Sequence, residues 1–180
     1  SHQNVNSEGK HSFHFMTFFL SIFFQKKRDK MYYSRIFGTH LRNMSKNIEM
    51  LSCGCAILET PCYEKSEDIR NILSAASEIF KKEPNVITIN TECIVVGDLH
   101  GHLLDLYRIF KTCGLPPMKT YLFLGDIIDR GTRSFDTLIL ILILKIMHPK
   151  NIFVIRGNHE FYSTSINKTF IDELQSIFKS

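Results

Sequence analysis

The stretch Y-L-F-L-G-D-I-I-D-R-G, residues 121–131, decides the fold. Its first four residues form an apolar run that is typical of a buried parallel strand, and Gly125 allows a sharp turn directly after it. Asp126 and Asp129 would therefore lie in a loop at the carboxyl end of a strand, where open α/β sheets bind their ligands. The stretch predicts an α/β fold whose polar chemistry lies at that edge of the sheet.

Two further segments repeat this order of strand, glycine and polar residues. C-I-V-V-G-D-L-H-G predicts a strand that is followed by Asp98 and His100 in a tight loop. I-F-V-I-R-G-N-H-E predicts a strand that is followed by Asn158 and His159. These segments are residues 93–101 and 152–160.

Apolar residues between the three strands are spaced for helices. From Leu103 onward they form a helical stripe that stops at Cys113, where Gly114 and two prolines follow. Residues 135–147 contain seven consecutive Leu and Ile residues. Because this segment exceeds the common length of a strand, it predicts a helix buried on most sides, between the sheet and another layer. The three strands would then be parallel in a βαβαβ core, with their polar loops at one edge.

A helix is also predicted upstream of the first strand. It begins near Ser66, a plausible cap followed by two acidic residues, and apolar residues recur at helical spacing until Lys81 and Lys82. Residues 86–89 are either a short strand or an extended lead-in to the first predicted strand.

The residues gathered at the predicted edge form a set of metal ligands. Carboxylates, an imidazole and an amide oxygen suit borderline divalent ions such as manganese, iron or zinc. Asp126, on the middle loop, is best placed to bridge two ions. Such a pair, about 3.5–4 Å apart, favours hydrolysis of a phosphate ester by in-line displacement. Each residue alone also suits a turn, a cap or ordinary packing, and it is the three successive clusters that favour the metal site.

The three motifs G-D-L-H-G, G-D-I-I-D-R-G and R-G-N-H-E resemble the N-terminal motifs of the calcineurin-like metallophosphoesterases. They are most similar to those of the phosphoprotein phosphatase family of serine/threonine phosphatases. The likeness extends over about residues 63–175. It implies the layered α/β sandwich of a metallophosphoesterase. It also implies a metal-dependent protein phosphatase that hydrolyses phosphoserine and phosphothreonine by in-line attack of a metal-activated hydroxide.

The resemblance implies which residues hold two divalent ions. Asp98 and His100 would hold the first ion, Asp126 would bridge, and Asn158 would hold the second. In the family, further histidine ligands and another phosphate-binding arginine come from the C-terminal half of the domain. His148 cannot easily replace them, because it lies at the far end of the preceding predicted helix. The second metal site is therefore expected to be incomplete.

The resemblance also implies the catalytic roles. His159 would be the general acid that protonates the leaving alkoxide, Asp129 would orient it, and Arg130 would bind the phosphate. Arg156 and Glu160 are interpreted as structural, forming a local ion pair or a loop brace. His102 and Arg133 are interpreted as surface residues or as supports behind the site.

The missing family ligands lead to an expectation about the chain as a whole. We expect a fragment truncated on the C-terminal side or a degenerate relative, with weak or no activity alone. The alternatives are another metallophosphoesterase, such as a diadenosine-polyphosphate hydrolase, and a non-catalytic half-domain. Expected partners are a phosphoprotein substrate and regulatory subunits. Missing core would leave sheet surfaces uncovered, so we expect the isolated chain to aggregate.

The chain divides into two predicted parts. Residues 1–60 are interpreted as an N-terminal extension, disordered or non-native, and residues 61–180 as the N-terminal half of a catalytic domain. The extension carries eight Lys or Arg against four Asp or Glu, whereas the rest carries fourteen of each. This excess suits a solvated arm or an arm that meets an acidic partner, and it does not by itself indicate nucleic-acid recognition.

Residues 13–24 are strongly apolar and aromatic, but they are too few to cross a bilayer of about 30 Å as a helix. They also lack the charge order and the cleavage site of a secretory signal, which leaves a short interfacial anchor as the alternative. The five cysteines show no C-x-x-C spacing. They favour a reducing compartment, the cytoplasm or the nucleus, over a disulfide framework or a zinc ribbon.

Overall fold

The computed structural model describes residues 33–45, 66–165 and 169–178. The apolar segment 13–24 lies outside the described residues. In chain order the elements are α1 (residues 33–45), α2 (Ser66–Phe80), β1 (Ile94–Val96), α3 (Leu103–Cys113), β2 (Tyr121–Phe123), α4 (Ser134–Met147), β3 (Ile152–Val154), a 3-10 turn (Asn158–Glu160), α5 (Tyr162–Ser165) and α6 (Thr169–Ile177).

The three strands form one parallel sheet in the order β1-β2-β3. Val95, Leu122 and Phe153 lie side by side in the ladder. The predicted α/β fold is confirmed, and each strand ends within one residue of its predicted end. Residues 86–89 are not a strand and belong to the segment that leads into β1.

One face of the sheet carries the main core. Val96, Phe123 and Ile152 on that face pack with apolar residues of α3 and α4. Both crossover helices lie on the same face, as successive right-handed βαβ units in one direction require. This arrangement brings the loops after β1, β2 and β3 to a common edge.

Helix α4 is buried on both sides, which explains its uninterrupted Leu and Ile run. Leu140 and Leu144 face the sheet core, whereas Ile139 and Ile143 pack in a second core with α1 and α2. The helix is therefore the middle layer between the sheet and an outer pair of helices, as its composition predicts.

The opposite face of the sheet is open among the described residues. Val95 is 57% exposed, Leu124 is 41% exposed and Ile155 is 44% exposed. All three lie on this face, because side chains alternate along a strand and the hydrogen-bond ladder continues through Leu124 and Ile155. Parallel strands are ordinarily covered on both faces, so this apolar surface lacks its usual cover in the described part of the chain.

Helix α1 lies within the predicted N-terminal extension. Its Ile36 and His40 are buried, and Met44 joins the main core. Residues 33–45 therefore pack as part of the body. The boundary at residue 60 stays a prediction, since residues 46–65 lie outside the description. Within the described ranges, no helix is both long enough and apolar enough to cross a membrane.

Candidate metal and phosphate site

The three loops at the carboxyl edge of the sheet contact one another through their backbones. Leu99 N and His100 N both donate to the carbonyl oxygen of Asp126, at 3.0 and 2.9 Å. Gly125 lies against Gly157 so closely that a Cβ on Gly125 would be 2.0 Å from the Gly157 nitrogen. Its φ of 95° is also unfavourable for other residues. Glycine is therefore required where the second and third loops meet.

Glu160 holds the second loop to the third. Its carboxylate accepts hydrogen bonds from Asp126 N and Ile127 N, both at 2.8 Å, and from Gly157 N at 2.9 Å. The structure thus places Glu160 as the loop brace that the sequence analysis expects. Arg156 instead lies over the ring of Phe161, 5.4 Å from its centroid.

Four non-glycine residues at this edge have left-handed backbone conformations: His100, Asp126, Asp129 and Arg130, with φ of 45°, 47°, 69° and 66°. Such conformations cost about 1–3 kcal/mol each and persist only where surrounding contacts enforce them. All four are residues that the sequence analysis assigns to metal binding or catalysis. Backbone strain in the described chain is thus concentrated at the candidate site.

His100 presents a free ring nitrogen to this site. Its Nδ1 lies 2.9 Å from the carbonyl oxygen of Ile128. Because a carbonyl oxygen can only accept, Nδ1 carries the proton and Nε2 has a free lone pair. This Nε2 is buried without a hydrogen-bond partner among the described residues. An orphaned buried acceptor of this kind fits a metal ligand.

Three buried side chains lie close enough together to hold a cation. They are His100, Asp126 and His159, and their ligand atoms lie within 4.8 Å of one another. The two imidazole rings meet edge to face with centroids 4.7 Å apart. Oδ1 of Asp126 accepts a hydrogen bond from the backbone N–H of His159 at 2.8 Å, which fixes the carboxylate. Nitrogen and oxygen donors together suit a divalent first-row ion, so the residues fit such a group.

Asp98 and Asn158 lie beside this compact group. Oδ2 of Asp98 is 3.6 Å from Nε2 of His100, and the residue is exposed. Asn158 is exposed directly before His159 in the 3-10 turn. The structure thus brings the four predicted ligands to one edge, and it also places His159, the predicted general acid, in the compact group. Their roles stay predictions.

His159, Asp129 and Arg130 form a connected set. Nδ1 of His159 lies 2.9 Å from Oδ2 of Asp129, and both side chains are almost fully buried. A carboxylate can only accept, so this Nδ1 also carries a proton. Nε2 of His159 lies 3.5 Å from Nη2 of Arg130, whose residue is exposed. The set presents a histidine nitrogen and a guanidinium side by side at the sheet edge.

The two remaining polar residues named from the sequence lie outside this set. His102 is exposed, with Nδ1 3.7 Å from Oδ2 of Asp105. Nε of Arg133 lies 2.6 Å from Oδ2 of Asp136 at the start of α4. Both positions agree with their interpretation as surface or supporting residues.

Helix α6 supports the site in a way that the sequence analysis misses. Phe170 N donates to Oδ1 of Asp129 at 3.1 Å, and Thr169 Oγ1 accepts the Arg130 N–H at 2.7 Å. Glu173 accepts from Ser134 N and Phe135 N, at 2.9 and 3.1 Å, and so caps α4. Burial raises the pKa of the Glu173 carboxyl. No motif or periodicity relates residues 169–173 to residues 129–135, so only contact information could reveal these bonds.

The fold and the site geometry agree with a family match. Residues 93–178 match the family model of the calcineurin-like phosphoesterases. Over these residues the chain is therefore similar to that family, and the resemblance in its motifs is confirmed. The family is one of phosphoesterases that use divalent metal ions, and the His100, Asp126 and His159 group is a candidate for holding one.

A solved structure gives a second similarity. The chain is similar to a protein serine/threonine phosphatase from Saccharomyces cerevisiae with similarity to human phosphatase PP5. The two are 32% identical with a TM-score of 0.59, and the match covers 75% of this chain and 43% of that chain. The matched region thus spans less than half of that phosphatase.

Proposed function

We propose that this chain carries part of the active site of a metal-dependent serine/threonine protein phosphatase. The observation that supports this most is the set formed by Asp129, His159 and Arg130 beside the buried His100 and Asp126 donors. An oriented imidazole, a guanidinium and a metal-ligand group at one edge are the parts that phosphate-ester hydrolysis needs. The substrate would be a phosphoprotein, with regulatory subunits as further partners in a reducing compartment.

His100, Asp126, Asp98 and Asn158 would hold the divalent ions, with Asp126 between the two positions. When bound, such ions supply Lewis acidity and lower the pKa of a water that they bind to near neutrality. The protein holds these donor atoms at fixed positions. The backbone bonds to Asp126 and the Glu160 brace support that arrangement.

His159 would deliver the proton to the leaving alkoxide. Asp129 keeps the Nδ1 proton in place, so the transferred proton must be carried at Nε2, which faces the site beside Arg130. The buried carboxylate also fixes the orientation of the ring that carries this proton. Asp129 therefore acts through His159 and need not contact the substrate.

Arg130 would bind the phosphate. Its guanidinium is the one group of this set on an exposed residue, and its planar fork suits two phosphate oxygens. Its position next to Nε2 of His159 would bring the phosphate and the proton donor together. Because the matched region spans under half of the similar phosphatase, we expect the chain alone to be weakly active or inactive.

The test measures manganese-dependent hydrolysis of a phosphopeptide and an aryl phosphate by the chain, and compares Asp126→Asn and His159→Ala. Asn tolerates the left-handed conformation of residue 126, so Asp126→Asn removes the charge with little backbone effect. We expect both variants to lose at least about a hundredfold of any activity, as general acid and metal sites ordinarily contribute. Activity unaffected by either substitution would contradict the assignment.

The same assay separates the alternatives. Preference for a diadenosine polyphosphate over the phosphopeptide would indicate a different metallophosphoesterase. Manganese binding without hydrolysis of any substrate fits the non-catalytic half-domain and equally a phosphatase whose active site is incomplete in this chain.

A further inference from the structure

The first turn of α6 contacts the turn that carries Asp129 and Arg130. Phe170 N contributes a backbone hydrogen bond to Asp129, whereas Thr169 contributes its side-chain oxygen to the N–H of Arg130. The bond from Arg130 N to Thr169 Oγ1 is 2.7 Å, a short and therefore well-formed N–H···O contact. Thr169 is thus the side chain of α6 that holds Arg130 directly.

The backbone that Thr169 holds is strained. Asp129 and Arg130 are consecutive non-glycine residues with φ of 69° and 66°. Left-handed residues of this kind need external contacts to stay in place. Gly131 N donates to the carbonyl oxygen of Asp129 at 2.8 Å, which closes the turn from within. The Thr169 hydroxyl closes it from α6.

The backbone conformation of Arg130 determines where its guanidinium points. In the structure Nη2 lies 3.5 Å from Nε2 of His159. A change of φ at Arg130 would swing the whole side chain, because the exposed residue has little packing to hold it. The hydrogen bond at the Arg130 backbone is therefore well placed to aim the side chain.

We propose that Thr169 is a positioning residue, whose hydroxyl aims Arg130 at the phosphate of the substrate. This inference rests on the proposed function, since it assumes that Arg130 binds phosphate. Thr169 acts only through Arg130 and does not touch the substrate. The phosphate affinity of the site should therefore depend on an acceptor at position 169.

The experiment compares Thr169→Val with Thr169→Ser in the full chain with manganese. Valine has the shape and branching of threonine without the hydroxyl, and serine keeps the hydroxyl without the methyl group. Thr169 is exposed, so neither change should disturb the core. Equal melting temperatures of the two variants check that point.

The first measurement is hydrogen exchange of the Arg130 amide by NMR, which needs no catalytic activity. We expect faster exchange in Thr169→Val and near wild-type exchange in Thr169→Ser. Unchanged exchange in Thr169→Val would overturn the proposed contact.

The second measurement is the dissociation constant of inorganic phosphate. Loss of one hydrogen bond should weaken phosphate binding about two- to tenfold in Thr169→Val, with Thr169→Ser within about twofold of wild type. In an Arg130→Ala background, Thr169→Val should have no further effect. An undiminished effect in that background would overturn the inference.

The Arg130→Ala variant distinguishes a failure of the role of Thr169 from a failure of the proposed function. Weaker phosphate binding in Arg130→Ala, but unchanged binding in Thr169→Val, would overturn the role of Thr169 and leave the proposed function standing. Phosphate binding that is unchanged in Arg130→Ala, or absent in the wild-type chain, would overturn the proposed function and the inference with it.

Discussion

Gly157 and Gly97 both follow strands at the site, but only Gly97 has room for a side chain. A Cβ on Gly157 would lie 2.2 Å from Oδ1 of Asp126 and 2.4 Å from its backbone nitrogen, whereas a Cβ on Gly97 would meet nothing within 4 Å. Neither glycine needs a left-handed conformation. The difference between them is therefore one of space alone.

We expect Gly157→Ala to displace the Asp126 carboxylate, to destabilise the fold by about 1–3 kcal/mol and to abolish stabilisation by manganese. Gly97→Ala should keep both the stability and the manganese effect. Thermal melts with and without manganese measure these outcomes. Equal manganese shifts in the two variants would show that the close approach of Gly157 to Asp126 does not shape the site.

At the scale of elements, α1 is joined to α3 by a buried polar contact. Nδ1 of His40 lies 2.6 Å from the Tyr107 hydroxyl, and both side chains are fully buried. Burial, with the nearby Arg133 charge, lowers the pKa of His40 to about 3. The folded state therefore holds this histidine neutral.

The low pKa of His40 predicts an acid-sensitive fold. Its stabilising effect is complete above the unfolded pKa of about 6.5 and is lost as the pH falls toward 3. At pH 5 the loss should be about 2 kcal/mol relative to pH 7. Urea unfolding at pH 7 and pH 5 measures it, with His40→Leu as the control. If His40→Leu retains the full pH dependence, other groups are responsible.

The sequence predicts the central elements well, because each strand is an apolar run that ends at or near a glycine, α2 and α3 have helical periodicity, and α4 is too long for a strand. It predicts the stripe of α2 less well, since Leu73 is 45% exposed although Ile72 beside it is buried. Helix α1 is missed because residues 1–60 are interpreted as an extension, although the apolar residues of 33–45 are spaced for one helical face: Tyr33, Ile36, Phe37, Leu41 and Met44. The motif residues meet as expected, since parallel strands place their loops at one edge.

Contacts between distant residues are what the sequence does not reveal. Lys145 is fully buried, where its ammonium group donates to the carbonyl oxygen of Ile152 at 2.6 Å and pairs with Glu83. A lysine in the last turn of a helix ordinarily indicates an exposed residue near the helix dipole. Only the fold brings the partners together, as it does for Thr169 and Arg130.

For the whole molecule, we expect the sheet face that is open among the described residues to govern behaviour in solution. Val95 points to this face and is 57% exposed, whereas its neighbour Val96 is buried in the main core. A contiguous apolar surface of this kind promotes association between molecules. This surface is the structural reason for expecting the isolated chain to aggregate.

We expect Val95→Lys to reduce aggregation of the isolated chain without lowering its melting temperature. Val96→Lys, one residue further along the same strand, should prevent folding because it buries a charge in the core. Light scattering and thermal melts distinguish these outcomes. A wild-type chain that stays monomeric at high concentration, with Val95→Lys no different, would contradict this role for the open face.

The left-handed backbones of His100, Asp126, Asp129 and Arg130 have a consequence for ligand binding. Folding itself restricts these residues to rare conformations, through the Glu160 brace and the bonds from α6. Their conformational entropy is therefore lost on folding, before any ligand binds. Ordering the site then costs little additional binding free energy. Association with metal and phosphate should consequently show a small entropic penalty from the protein backbone.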